Sequence, residues 1–420
     1  MKISFLVFCY KSLLDWIYIK WICVRYAFYG FSGQISIDSY IESIVFLLVG
    51  TLLLKLNNRA SSIILNFIYL IYFIPFTSMV AFNAFDDYMY KYYYLSYWII
   101  LVPLYKIINI ENIRANNSKN ILLITKDAGK YILYFIAIVL SIIILYVGLV
   151  CTGFNFSVNL YDVYNNRKIV TNDIPLIANY LLSATKLNLP IILLYFYSSK
   201  KYFWTSVIFI FSLLSYAILS LKAIAFIAIL TIVYLILKVS YSHLRALISS
   251  ILLCLLGILE FFVDQSGYII EFVIRRLFFL TNLLSYQYYD YFTSHEPDYF
   301  RSSFLRWFGV ESEFSDVRIV NVIGQTYYGR DMPANNGLLA DVFANMGLIG
   351  IIVMPIIILI ILYLIDKCTL NISKFILVIP CLIIASLFID TFLTVALLTH
   401  GIIIALFIFY FMPRTNCKEE

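Results

Sequence analysis

The sequence predicts an all-α polytopic integral membrane protein with about 11–12 transmembrane helices and one large external loop. Hydrophobic residues fill 63% of the 420 positions, charged residues only 13%, and the mean hydropathy is +0.91. A soluble domain is roughly half apolar and a quarter charged, so this chain has too little polar surface to enclose its apolar residues in water. The apolar residues fall in runs of about twenty, enough to cross roughly 30 Å of hydrocarbon as a helix. Lipid requires internally satisfied backbone groups, and the short alternating segments of a transmembrane barrel are missing, so the runs read as helices.

The first apolar stretch, residues 3–24, is interrupted by Lys11, Asp15 and Lys20, which is unlike a cleavable leader. It reads either as a span or as an interfacial amphipathic helix. Lys11 and Asp15 stand four apart on one helical face, and pairing them would lower the cost of about 2.5 to 3.5 kcal/mol for each isolated charge at mid-membrane. Eleven further spans read near 37–56, 61–82, 92–110, 131–151, 174–197, 203–219, 223–239, 246–263, 347–365, 373–389 and 391–411. The short connections place about fifteen Lys and Arg on one side (among them Lys55, Arg59, Lys119, Arg245 and Lys418) and three on the other (Lys91, Arg167, Lys168). The basic side is expected to be cytoplasmic. The chain then divides into an N-terminal transmembrane bundle (1–263), a large loop on the opposite side (264–346), and C-terminal transmembrane helices with a cytoplasmic tail (347–420).

Seven cysteines (Cys9, Cys23, Cys151, Cys254, Cys368, Cys381, Cys417) include no CxxC pair, and the three histidines, His243, His295 and His400, are far apart. Neither a disulfide framework nor a metal site is expected, nor any other cofactor. The net charge of +6 suits a membrane protein with basic cytoplasmic loops and does not point to nucleic acid.

Long polar loops carry function more often than short ones. The 264–346 loop holds six of the twelve arginines (Arg275, Arg276, Arg301, Arg306, Arg318, Arg330) and none of the eighteen lysines. Part of that contrast follows from lysine accumulating in cytoplasmic loops. The rest suits a site for phosphate or carboxylate oxygens, because guanidinium is a planar fork of fixed charge. Ten acidic residues leave the loop net negative, so any anion site must be local. Residues 269–284 are apolar except for Glu271, Arg275, Arg276 and small polar groups. They read as a surface helix presenting the two arginines at headgroup depth, as a helix whose arginines merely snorkel, or as a further span. Tyr286, Tyr288, Tyr289, Tyr291, Phe292, Tyr299 and Phe300 follow, suited either to stacking on sugar rings or to an interfacial aromatic belt. At 333–350, Asn336, Asp341 and Asn345 bring polar groups to a helix mouth. Asp341 and Asn345 share a face, and Gly347 and Gly350 permit close helix approach. Alternatively Asn336 is an N-cap and Asp341 a helix-start acid.

The stretch Asn335-Asn336-Gly337-Leu338-Leu339-Ala340-Asp341-Val342-Phe343-Ala344-Asn345-Met346-Gly347-Leu348-Ile349-Gly350 resembles the corresponding part of Wzy-type O-antigen polymerases of Gram-negative bacteria. Arg275-Arg276-Leu277-Phe278-Phe279, Tyr288-Tyr289-Asp290-Tyr291-Phe292 and Tyr29-Gly30-Phe31-Ser32-Gly33 share the resemblance, which spans the chain in length, hydropathy and loop placement. Related O-antigen ligases tend to carry a histidine near Asn335 or Asn336, which this chain lacks. The resemblance implies a membrane glycosyltransferase (GT-C-like) helical bundle in the bacterial inner membrane, its loop periplasmic. The implied reaction joins undecaprenyl-diphosphate-linked oligosaccharide repeat units. Membrane lipids, and a chain-length regulator protein, are the further partners it implies.

On that reading Arg275, Arg276 and Arg330 clamp the diphosphate and Asp341 orients or deprotonates the acceptor. Arg301, Asn336 and Tyr289 complete the expected substrate-binding set with Arg330. A lipid-linked oligosaccharide flippase and an O-antigen ligase are the alternatives. A flippase predicts internal repeats, buried charges and short external loops.

Overall fold

A computed structural model describes residues 2–115, 126–154, 174–219 and 221–414. Every regular element among them is helical. Six helices are long and apolar enough to cross a membrane: Ala60–Ala81, Ala128–Thr152, Leu176–Ser198, Tyr202–Leu219, His243–Val263 and Leu339–Cys368. The eleven or twelve expected spans are therefore not all present as uninterrupted helices of that length. The run at 37–56 ends as the 17-residue helix Ile37–Leu53, and that at 373–389 forms the 17-residue Lys374–Asp390. The run at 391–411 is broken by Gly401, which adopts φ +79°. Arg167, Lys168, Lys119, Lys418 and Cys417 lie outside the described residues.

The chain forms two compact units, and both are discontinuous in sequence. The first comprises Met1–Ser118, Ser242–Tyr363 and Ala385–Leu393. It contains α1 (Lys2–Ile17), α2 (Ile37–Leu53), α3 (Ala60–Ile68), α4 (Ile74–Ala81) and α5 (Tyr88–Ala115). The return of the chain adds α6 (His243–Asp264), a π-helical segment Ile270–Leu280, α7 (Thr281–Ser294), α8 (Ile319–Tyr328) and α9 (Leu339–Met346). The expected 264–346 loop thus packs with the N-terminal helices, and the three-part division in chain order cuts across these units.

Local chemistry sets several helix starts. Ser36 and Ser242 accept the backbone N–H of Ser39 and Arg245, and the Asp87 carboxylate accepts that of Met89 at 2.7 Å. Within the unit α1 packs on α4 and α6, α2 on α4, and α7 on α9. The continuous helix over 60–81, joined by a π turn at Tyr69–Phe73, is the most enclosed, with 89% of its apolar window buried. Its Phe76 stacks on Tyr94 of α5 with ring centroids 3.5 Å apart, and Phe73 stacks on Trp98 at 4.6 Å.

Two buried lysines of this interior are paired with acids. Lys11 is fully buried and donates to both Asp15 oxygens at 2.9 and 2.8 Å, with the Tyr40 ring 4.9 Å from its ammonium. Lys91 of α5 pairs with Glu42 of α2.

Gly337 determines how closely the start of α9 approaches residues 385–393. Its N–H donates to the Ile389 carbonyl at 2.8 Å, and a Cβ there would lie 2.1 Å from the Phe388 oxygen and 2.4 Å from that of Thr391. Neither backbone oxygen can rotate away. Gly337→Ala is expected to destabilise this unit by about 3 kcal/mol, read as a lowered thermal midpoint in detergent. An unchanged midpoint would mean that the two segments separate freely.

The second unit comprises Lys119–Tyr241, Leu364–Ile384 and Thr394–Glu420. Its helices are α10 (Lys126–Tyr146), α11 (Leu176–Ser198), α12 (Tyr202–Leu219), α13 (Lys222–Leu237) and α14 (Ile402–Phe411). α11 is central, packing on α10, α12, α13 and α14. Close approach is bought by small residues: a Cβ at Gly401 would meet that of Ala184 at 2.5 Å.

Candidate functional site

The geometry that bears on function lies in the first unit and begins at the end of α6. Gln265 and Gly267, both at positive φ, turn the chain there. Glu260 fastens the turn, its carboxylate accepting the N–H groups of Tyr268 at 3.0 Å and Ile269 at 2.7 Å. The segment Ile270–Leu280 then winds as a π helix. Such wide turns are rare and concentrate at functional sites. One face buries Ile270, Ile274, Phe278 and Phe279, and Arg275 lies among them, only 6% exposed.

The Arg275 guanidinium carbon sits 4.1 Å from the Tyr26 ring centroid and 5.7 Å from that of Tyr29. Both rings belong to the turn after α1, which closes at Gly30 with φ +94°. A Cβ at Gly30 would lie 3.7 Å from Gln287 Nε2, so the turn rests directly on α7. Tyr328 of α8 completes the enclosure: its ring packs edge-on against Tyr29 at 5.3 Å, and its hydroxyl donates to Gln287 Oε1 at 2.8 Å. Burial pushes the Tyr328 hydroxyl up to about 12, which keeps it a protonated donor at neutral pH.

Arg275 Nε has no hydrogen-bond partner. Among the described residues no carboxylate lies within ion-pair distance of Arg275, and Glu271, one turn earlier, shares the Tyr26 hydroxyl with it. A buried charge without a counterion is costly. Tyrosine faces offset part of that cost, contributing about 0.5 to 2 kcal/mol. The remaining hydrogen-bonding capacity suits an anion with oxygens in a plane.

The other expected residues are dispersed. Arg276 points away from Arg275: it is exposed, 6.0 Å from the Phe272 ring, because neighbouring residues on a helix project in different directions. The two do not form a single clamp. Arg330 is exposed in the turn after α8. Arg301 is half-buried and donates to the carbonyls of Asp298 at 2.9 Å and Pro297 at 3.3 Å, so part of its fork holds its own loop. Tyr289 is 4% exposed, donates to Asp87 and packs against Tyr90 and Phe343. Its face is occupied by protein rather than open to a sugar.

Asn336 is fully buried, its amide donating to the Thr281 carbonyl at 2.8 Å and to Ser285 Oγ at 2.9 Å. It ties the start of α9 to α7 and is not an N-cap, that position belonging to Leu338. Leu338 carries φ +45°, a conformation that costs a branched residue about 1 to 3 kcal/mol. Asp341 is 1% exposed. One of its oxygens accepts Asn345 Nδ2 at 2.7 Å and the other accepts the backbone N–H of Leu393 at 2.6 Å. Asp341 therefore holds the backbone at Leu393 from a distant part of the chain. The carboxylate acts here as a latch, with an adjoining cavity of about 10 Å³ that has room for a single water at most. An acceptor hydroxyl has no access to it in this arrangement.

Sequence reasoning missed Tyr26, Tyr328 and Gln287. With 36 tyrosines in the chain, composition gives no means of choosing two. The available signal was Tyr29–Gly33, whose position over Arg275 explains why a glycine-containing turn matters there. Comparison of the chain with family models, with curated proteins and with solved structures gives no match.

Proposed function

We propose that this chain is an O-antigen polymerase, a membrane glycosyltransferase that joins undecaprenyl-diphosphate-linked repeat units at the periplasmic face of the inner membrane. The observation that carries the reading is Arg275: a buried guanidinium, framed by Tyr26 and Tyr29, with no carboxylate within ion-pair distance and with its Nε unbonded. A diphosphate supplies the missing charge. In the reaction the bond from the donor sugar's anomeric carbon to the diphosphate oxygen breaks, and the acceptor hydroxyl oxygen forms the new glycosidic bond. The hydroxyl proton is lost and undecaprenyl diphosphate departs. Because that leaving group is already activated, the protein's task is mainly to neutralise developing charge and hold the two sugars in line. On this reading Arg276 and Arg330, both exposed, meet lipid headgroups or the outer phosphate and do not share one fork with Arg275. Asp341 contributes by holding α9, not by touching the acceptor.

A deletion strain tests the activity. Lipopolysaccharide carrying a single repeat unit is expected; loss of all O-antigen would replace this reading with a flippase or a ligase. The flippase has one observation in its favour, the buried Lys11–Asp15 pair, since ionisable groups inside a bundle often mark transport pathways.

Topology is tested separately, on the basic-residue asymmetry. Alkaline phosphatase fused after Gln325 is expected to be active and after Arg414 inactive. The reverse pattern would place the Arg275 site on the cytoplasmic side, where the proposed reaction does not occur.

A further inference from the structure

A seam of polar groups runs between α5, α7 and the start of α9 in the first unit. Tyr72 shares a 2.6 Å hydrogen bond with Ser285, which also receives Asn336 Nδ2. The Tyr72 carbonyl accepts from both the Tyr94 hydroxyl and Asn282 Nδ2, each at 3.1 Å. Asn282 Nδ2 donates in addition to the Phe278 carbonyl at 2.9 Å. Each asparagine amide nitrogen thus faces a backbone carbonyl, which fixes the orientation of the amide.

Four polar atoms are left over. Asn282 Oδ1, Asn336 Oδ1 and the hydroxyls of Tyr90 and Tyr97 have no hydrogen-bond partner. The side chains that carry them are 0%, 0%, 0% and 4% exposed. They border one seam: Asn336 and Asn282 are tied to Ser285 and Tyr72, Tyr90 lies beside both of those residues, and Tyr97 is seven residues from Tyr90 on the same face of α5. Equally enclosed tyrosines elsewhere in the unit are satisfied, Tyr10 by the Leu70 carbonyl at 3.1 Å and Tyr18 by that of Ser32 at 2.7 Å. Protein interiors leave few polar groups unpaired, and where several converge in a polar cleft, ordered water is the usual partner.

We infer that a chain of bound water molecules occupies this seam and satisfies Asn336, Asn282, Tyr90 and Tyr97. Tyr90 and Tyr97 are seven residues apart on α5, so the chain extends about 10 Å along that helix. One end lies at Asn336, next to the exposed Asn335, and the other at Tyr97. Water there accounts for two asparagines and two tyrosines with unpaired polar atoms in an enclosed part of the unit. This inference stands independently of the proposed activity.

Radiolytic hydroxyl-radical labelling of the full chain in lipid nanodiscs tests it, because bound water generates radicals beside side chains that bulk solvent does not reach. Tyr90 and Tyr97 are expected to be modified about threefold or more faster than Tyr10 and Tyr18, which are as deeply buried but already bonded to carbonyls. Equal rates at all four tyrosines would overturn the inference and leave the seam dry.

Discussion

Arg275→Lys is expected to slow the proposed polymerisation roughly thirtyfold to a thousandfold, the equivalent of about 2 to 4 kcal/mol of transition-state stabilisation. Lysine keeps the charge but loses the planar fork and its stacking on Tyr26 and Tyr29. Arg276→Lys should retain nearly the wild-type rate and chain-length distribution, because Arg276 is exposed and a flexible ammonium serves a headgroup contact as well. The two variants side by side, at matched protein level, test whether the difference in burial between these adjacent residues is a difference in role. Equal, mild effects in both would remove Arg275 from the proposed site, and equal, severe effects would restore a two-pronged clamp.

Asp341→Leu should lose folded protein altogether, at a cost of about 3 to 5 kcal/mol, because it leaves the Leu393 N–H and the Asn345 amide without acceptors in a buried place. Asp341→Asn retains one carbonyl oxygen for the Leu393 N–H and is expected to fold with only moderate loss and to keep most of the activity. A catalytic base predicts the opposite: Asp341→Asn would fold normally and be inactive. Measuring thermal midpoint and polymer length together on the asparagine variant separates the two, and a stable, inactive protein would return Asp341 to the chemistry.

Some local features could be read directly from residue spacing. Lys11 and Asp15, four apart in an apolar stretch, form the buried pair that this spacing suggests, since a helix brings such residues onto one face. Asp341 and Asn345 do the same one helix turn apart. Span counting was less successful because hydropathy measures apolar content and not helix continuity. The run at 391–411 is uniformly apolar, yet Gly401 at positive φ divides it. The aromatic run 286–300 was ambiguous for a similar reason: a tyrosine ring can stack on a sugar or on another tyrosine, and for Tyr289 the second partner is Tyr90, about two hundred residues earlier.

The sequence alone determined that this is a helical membrane protein, because the ratio of apolar to charged residues and the length of apolar runs are properties of composition that no arrangement of the chain can alter. Tertiary structure decided which polar groups are available for chemistry. Arg275 and Arg276 are indistinguishable as letters, and only packing against Tyr26 and Tyr29 buries one and leaves the other exposed. Asp341 has the residue type of a base, and only the return of the chain at Leu393 makes it a latch. In each case the deciding partner is distant in sequence, and a charged side chain's role depends on what surrounds it rather than on what it is.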